Sequence, residues 1–354
     1  MRILITGGAG FVGSSLAKLY RRDNPQAEIV VFDNLKRRGA ELNLPAFKEQ
    51  RITFCHGDIR NPSDLNDLPG NFDMFIEASA EPSVHAGTEG SPHYLLDTNL
   101  VGTLNCLEFA RKHVGQMTFL STSRVYSIAD MRAIAFSPTP TRLTPDKNQG
   151  IRGLSAAGIT EDFETRNPRS LYGASKLASE LIAQEYAATY GTQIIINRCG
   201  VLAGAGQFGK VDQGVFTLWV AHHYFGLPLT YMGFGGEGKQ VRDLLHPEDL
   251  YRLLQSQAEQ QQHPSGQVFN VGGGNEISTS LYELTQHCQS ATDRSVPIGQ
   301  VKETRAVDIP YYVSDNHKAT QTFGWKPQIT VPEIVQGIYS WIRDNEKDLA
   351  PLFT

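Results

Sequence analysis

The sequence predicts an α/β protein, with a doubly wound parallel sheet over residues 1–200 and a smaller α/β lobe over 201–354. Three observations predict it. Short apolar runs rich in β-branched residues alternate with amphipathic stretches through the first third of the chain. A glycine-rich turn separates the first run from the first amphipathic stretch, and beyond Gly200 the elements become shorter and mixed. Strands apolar on both faces and separated by helices belong to a sheet covered on both sides. That is the doubly wound arrangement.

The elements follow in order. Residues 3–5 read as the first buried strand and 12–21 as the first helix; residues 29–32, 52–55 and 74–76 read as the next three strands. Helical spacing over 94–113 leads to a fifth strand at 117–120. From 127 to 168 the pattern gives way to Pro, Thr, Arg and Gly, and a stretch of that length without periodicity reads as a functional insertion, placed to cover a ligand. A helix over 170–190 and a strand at 193–196 close the first domain. The second lobe has a helix at 215–225, a strand at 241–245, helices at 247–257 and 280–288, and a last helix over 331–345. There is no internal repeat, and the short tract Gln260-Gln261-Gln262 is the one low-complexity feature.

Composition limits the function. With 354 residues, 40% hydrophobic and 19% charged, the chain has the make-up of an ordinary globular protein. A net charge of -5 without long like-charge runs argues against nucleic acid or an acidic membrane as partner. Cys55, Cys106, Cys199 and Cys288 are scattered without metal-ligand spacing and are too few for a disulfide framework. No metal is expected. No apolar run approaches the length of a membrane span, so the expected compartment is the cytoplasm.

The strongest chemical signal is Gly7-x-x-Gly10-x-x-Gly13, between the first strand and the first helix. Glycine permits the tight turn, lets backbone approach a pyrophosphate and allows the helix to pack closely on the strand. The helix N-terminus, at Phe11 and Val12, then presents unpaired N–H groups to phosphate. Asp33 ends the next strand, where a carboxylate binds the adenosine ribose hydroxyls. This is the Rossmann-type dinucleotide pattern. A carboxylate at Asp33 repels a 2′-phosphate and argues for NAD; Lys36, Arg37 and Arg38 follow it and are of the type that would bind such a phosphate instead.

Two further signals concern catalysis. Tyr172-x-x-x-Lys176 puts a phenol and an ammonium on one helix face. A phenol with an ordinary pKa of about 10 is a poor base, and a nearby cation stabilises the phenolate that takes a proton from a hydroxyl. Ser121-Thr122-Ser123 lies at the carboxyl end of the fifth strand, where open α/β sheets bind ligands, so that a hydroxyl there can hold the reacting oxygen.

These residues carry a resemblance. Gly7-Gly8-Ala9-Gly10-Phe11-Val12-Gly13, Asp33-Asn34-Leu35, Gly57-Asp58-Ile59-Arg60, Asn99-Leu100-Val101-Gly102-Thr103, Ser121-Thr122-Ser123-Arg124-Val125-Tyr126 and Leu171-Tyr172-Gly173-Ala174-Ser175-Lys176 resemble the extended short-chain dehydrogenase/reductases, among which sugar-nucleotide epimerases and dehydratases dominate. The match runs in order to about Pro327. The resemblance implies that Asp58 and Ile59 meet adenine, with Asn34 beside Asp33. It implies that Ala78 and Ala80 line the pyrophosphate and nicotinamide ribose with Asn99 nearby, and that Lys176 bonds that ribose. It assigns Thr122, Tyr172 and Lys176 to catalysis, Thr122 and Ser123 to the sugar, and Arg242 and Arg305 to the substrate diphosphate. Guanidinium suits that last task because it binds phosphate bidentately and keeps its charge.

Departures narrow the reaction. In the 4,6-dehydratases of the family an acidic residue closely follows the hydroxyl residue; here Ser123 and Arg124 follow Thr122, which disfavours elimination. The stretches 37–45, 77–84 and 209–219 resemble the CDP-paratose 2-epimerase (CDP-tyvelose epimerase) branch, whose relatives include C2 inversion of CDP-glucose. Val201 stands where many 4-epimerases carry a substrate-binding Asn. The expected activity is therefore NAD-dependent C2 epimerisation of a CDP-hexose, by a homodimer or homotetramer. UDP-sugar 4-epimerisation is the nearest rival. A non-catalytic NAD-binding sensor or scaffold is the rival from another class, and such a protein has no need of both Tyr172 and Lys176.

Overall fold

Seven parallel strands build the central sheet: β1 (Arg2–Thr6), β2 (Glu28–Asp33), β3 (Thr53–His56), β4 (Phe72–Glu77), β5 (Val114–Thr122), β6 (Ile194–Cys199) and β7 (Val268–Val271). Their spatial order is β3-β2-β1-β4-β5-β6-β7, so the winding reverses between β1 and β4. The structure, a computed structural model, describes residues 1–88, 90–147, 149–208, 214–260 and 265–353. Residues 209–213 of one branch-like stretch, and Gln261 and Gln262 of the glutamine tract, lie outside the described residues.

The principal helices are α1 (Phe11–Asp23), α2 (Thr103–His113), α3 (Leu171–Tyr190), α4 (Val215–Phe225), α5 (Pro247–Glu259), α6 (Leu281–Thr292) and α7 (Val331–Asp344). Alternation along each strand explains the two-sided covering. Ile3, Ile5, Val31 and Ile76 face Leu16, Tyr20, Leu250 and Leu254 of α1 and α5. Leu4, Val30, Phe75 and Phe119 face Leu107, Phe109 and Ala183 of α2 and α3. A third core under α4, α6 and α7, including Trp219, Leu284, Ile334 and Ile338, belongs to the smaller lobe. That lobe's sheet joins the strands Val201–Leu202, Val241–Leu245, Ser278–Ser280 and Tyr311–Tyr312.

Three features differ from the expectation. The helix expected over 94–113 is interrupted by a π-helical stretch at Asp97–Gly102. Such bulges re-aim side chains and cluster at functional sites. β7 comes from beyond residue 200 and returns the chain to the main sheet; four residues bounded by glycine carry too short a period to read as a strand. The 127–168 insertion holds a short helix, Ile128–Arg132, and two hairpins with strands of only two or three residues. It is docked on the lobe by Arg142–Glu283 (2.6 Å), Leu143 N to Lys239 O (2.9 Å) and Ile159 N to Val313 O (2.7 Å).

Candidate active site

The reversal of strand order leaves a crevice at the carboxyl ends of β1 and β4, and the glycine turn lies there. Gly7 has φ +63°, and a Cβ on it would lie 2.6 Å from Ala78 O and 2.8 Å from Ser79 N. A Cβ on Gly13 would lie 2.7 Å from Gly8 Cα. The turn thus tolerates no side chain at either position. Gly10 precedes α1, whose first turn, with half-buried Phe11 and Val12, contains no acidic residue to compete for its N–H groups. Asp33, at the end of β2, accepts from Ala9 N (3.1 Å) and Leu35 N (2.8 Å), and burial raises its carboxyl despite those bonds. Next to it, Asn34 donates to Asp58 (2.9 Å), and Arg60 clamps Asp58 and holds its carboxyl near 2. Ile59 is buried against Gly102 of the π turn.

Asn99, buried on that π turn, accepts from Glu81 N (2.8 Å) and donates to Glu81 O (3.0 Å) and Ser175 Oγ (3.3 Å). It therefore ties the loop carrying Ala78 and Ala80 to α3. This glycine cradle, which a methyl would fill, with a carboxylate at the end of β2, fits a dinucleotide.

Tyr172 and Lys176 lie one turn apart on α3, both buried. The Ser170 hydroxyl caps the helix by accepting from Gly173 N (3.1 Å). Burial pushes the Tyr172 phenol up to about 12; a hydrogen bond from Thr122 and the Arg124 cation pull it down, while Cys199 and Glu77 push it up. Lys176 Nζ sits 3.9 Å from Glu77 Oε2 and 4.0 Å above the Phe119 ring, and burial lowers its pKa against the pull of Glu77. Glu77 is itself fully buried, and desolvation raises its carboxyl to about 7 despite Lys176. The cation that acts on the phenol is thus Arg124, while Lys176, one turn along α3, is turned toward Glu77 and Phe119.

Strand alternation separates the hydroxyls of β5. Thr122 meets Tyr172 and accepts from Arg124 N (3.2 Å), whereas Ser121 donates to Glu180 (2.5 Å) in a buried network. There Glu180 pairs with Arg198 (2.7 Å), Arg198 donates to Tyr126 Oη (3.2 Å), and Tyr126 donates to Asn270 (2.6 Å). This network ties β5, α3, β6 and β7 together behind the crevice. Ser123 is buried at the start of the turn Ser123–Val125.

The arginines meet at the segment 305–309. Arg242 donates to Val241 O (2.7 Å) and Ile309 O (2.6 Å), and desolvation, then Arg124, lowers its pKa to about 9. Arg124 donates to Val307 O (3.1 Å), and Arg132 to Asp308 O (3.0 Å) and Arg305 O (2.6 Å). Arg305 is exposed at the mouth, with Nη1 3.5 Å from His85 Nε2. The structure does not bring the two arginines read from the sequence together: Arg242 reaches this segment beside Arg124, whereas Arg305, itself part of the segment, turns its side chain to His85 and Met232. Among the described residues no group of His, Cys, Asp and Glu could hold a metal, and no helix is long and apolar enough to cross a membrane.

With this geometry in hand, the model of the NAD dependent epimerase/dehydratase family matches residues 3–272. The chain belongs to that family. A CDP-paratose 2-epimerase from Salmonella typhi is 31% identical over 96% of this chain and 99% of its own length. The crystal structure of DesIV, a dTDP-glucose 4,6-dehydratase from Streptomyces venezuelae determined with NAD bound, superposes with a TM-score of 0.79 at 28% identity, covering 99% of this chain and 100% of that one. A UDP-glucuronic acid 4-epimerase from Bacillus cereus superposes at TM-score 0.79 over 97% of this chain and 99% of its own; at 22% identity it shows the shared fold. This epimerase/dehydratase is an NAD-dependent enzyme.

Two residues of this family member's site were not singled out from sequence. Glu77 is the one acidic residue closing an otherwise apolar strand end, and Arg124 follows Thr122 by two positions. The strand-end acid was a readable signal. Nothing in the spacing of Arg124 shows that its charge acts on Tyr172.

Proposed function

We propose that this enzyme inverts C2 of a CDP-hexose of the CDP-paratose or CDP-glucose type by transient oxidation to a keto sugar. The observation that carries the reading is buried Tyr172 at the start of α3 together with buried Thr122 at the end of β5, followed by Ser123 and Arg124 rather than a carboxylate. Elimination needs an acid or base at the leaving group; oxidation and return need only one base that keeps its proton. The full-length similarity to a CDP-paratose 2-epimerase supports the same reading.

NAD, when bound, supplies the hydride acceptor and donor. Gly7, Gly10, Gly13, Phe11 and Val12 hold its pyrophosphate, Asp33 and Asn34 its ribose, and Asp58 and Ile59 its adenine, while Ala78 and Ala80 shape the nicotinamide end. Tyr172 takes the proton from the C2 hydroxyl, with Thr122 holding that oxygen, and Lys176 steadies the phenolate from the protein interior. Arg242 and Arg305 keep the diphosphate anchored while the keto sugar turns its other face, so binding energy remote from the reacting carbon retains the intermediate. Tyr172 then returns the proton.

Incubation with CDP- and UDP-hexoses followed by sugar analysis tests this: C2 inversion of a CDP-hexose is expected, and exclusive C4 inversion of a UDP-hexose overturns it. Tyr172→Phe should lower turnover by about 100- to 10,000-fold with the fold and NAD binding intact.

The enzyme is further proposed to act in the cytoplasm as a homodimer or homotetramer. Leu171 and Leu181 (57% exposed) on α3, Leu104 on α2 and Val101 just before it are exposed apolar side chains, and this supports assembly. Light scattering on the purified protein measures it, and a monomer at micromolar concentration refutes it.

A further inference from the structure

One guanidinium in this site faces two ways. Arg124 is fixed against the catalytic helix, since Gly173 packs on its carbonyl so tightly that a Cβ there would lie 2.9 Å from the Arg124 carbonyl carbon. The Arg124 cation acts on the Tyr172 phenol from this position. In the other direction it reaches Val307 O, while Arg242 reaches Ile309 O. Two residues of chain span at most about 7 Å, so the two guanidiniums are neighbours; the Arg124 charge acts on Arg242, and the Asp308 carboxylate acts on both. The hydrogen bonds of this pair of cations go to neutral backbone carbonyls, while the Asp308 carboxylate acts on both from nearby and Asp243 on Arg242. Paired guanidiniums so arranged suit a phosphate anion, which brings two or more acceptor oxygens of matching geometry.

The chemistry of the substrate then matters. In a nucleoside diphosphate hexose the diphosphate is esterified at C1. C2 is the ring carbon next to that ester, and C4 lies across the ring from it. A base that shares a guanidinium with the phosphate site therefore meets the hydroxyl adjacent to the ester.

We propose that Arg124 selects the carbon that is oxidised, by holding the sugar-side phosphate beside Tyr172 so that the C2 hydroxyl, rather than the C4 hydroxyl, meets the phenol. The inference rests on the epimerase reading above and names the residue within it that fixes regiochemistry. Of the groups that act on the phenol from other elements, Thr122 on β5 works with Arg124, and Glu77 on β4 and Cys199 on β6 work against it; on α3 itself Lys176 is turned to Glu77.

The test uses the full-length enzyme and CDP-glucose carrying deuterium at C2 or at C4. The wild-type chain should show a primary isotope effect with the 2-deuterio substrate alone. Arg124→Gln should lower kcat/KM on the order of 100-fold, the scale for removing one preorganised donor. It should also raise KM and move the rising limb of the pH profile to higher pH, because the phenol loses a cation. Arg124→Lys, which keeps the charge but not the fork, should recover the pH limb more fully than KM. NAD titration and thermal melting establish that both variants are folded. An Arg124→Gln enzyme with wild-type KM and pH profile overturns the role of Arg124 and leaves epimerisation standing. An isotope effect confined to the 4-deuterio substrate in the wild-type enzyme overturns the C2 reading together with the inference. No wild-type turnover of CDP-glucose or of CDP-paratose overturns the underlying reading itself.

Discussion

Gly173→Ala separates local propensity from tertiary constraint. Gly173 lies in the first turn of α3, beside Tyr172, and helix propensity alone favours alanine there by about 1 kcal/mol. The structure predicts the opposite sign. A methyl at this position would lie 2.9 Å from the Arg124 carbonyl carbon and closer still to its oxygen, against an ordinary contact of 3.4 Å or more. Both partners are backbone, so relief requires the start of α3 to move away from the end of β5 by on the order of 1 Å. Overpacking of this kind costs about 1–3 kcal/mol. The catalytic effect is larger, because the movement draws Tyr172 from Thr122, and a misplacement of about 1 Å costs on the order of 100-fold in rate. We expect kcat to fall by about that factor, NAD affinity to hold, and the denaturation midpoint to drop. Steady-state kinetics with a CDP-hexose, NAD titration and urea denaturation measure the three quantities. A Gly173→Ala enzyme with wild-type kcat and raised stability would refute the reasoning, since it would mean the helix and strand end are not locked together.

Three other outcomes follow from the same geometry. Gly7→Ala places a methyl against Ala78 and Ser79 at a residue with positive φ, and should weaken NAD binding at least tenfold by calorimetry while Tyr172 stays in place. Glu180→Gln leaves Arg198 charged and buried without its carboxylate, and should lower unfolding free energy by about 3–5 kcal/mol in denaturant titrations. Burial raises the Glu77 carboxyl from 4.5 to about 7, so between those pH values the folded chain retains a proton that the unfolded chain releases. Stability contributed by this group is therefore present at low pH and falls as pH rises toward 7. Glu77→Gln should flatten that slope, and urea midpoints at pH 5 and pH 7.5 compare the two proteins; parallel slopes would show that Glu77 does not titrate in this range.

By itself, the sequence determined the doubly wound sheet, the glycine turn, Asp33, and the Tyr172–Lys176 pair on one helix face. Each of these is written in local spacing: apolar runs report buried strands, glycines report close backbone approach, and a four-residue interval reports a shared helix face. Tertiary structure alone decided the rest. The π stretch that turns Asn99 toward Glu81 and Ser175 interrupts a helix whose apolar period hardly changes, and β7 is made by a segment too short to carry a period of its own. The electrostatic setting of Tyr172 was equally hidden. Lys176 turns to Glu77, more than ninety positions earlier in the chain, and Arg124 meets Arg242 at a segment beyond residue 300. Charges act through space, not along the chain, so which cation serves a base is fixed only when distant segments fold against one another.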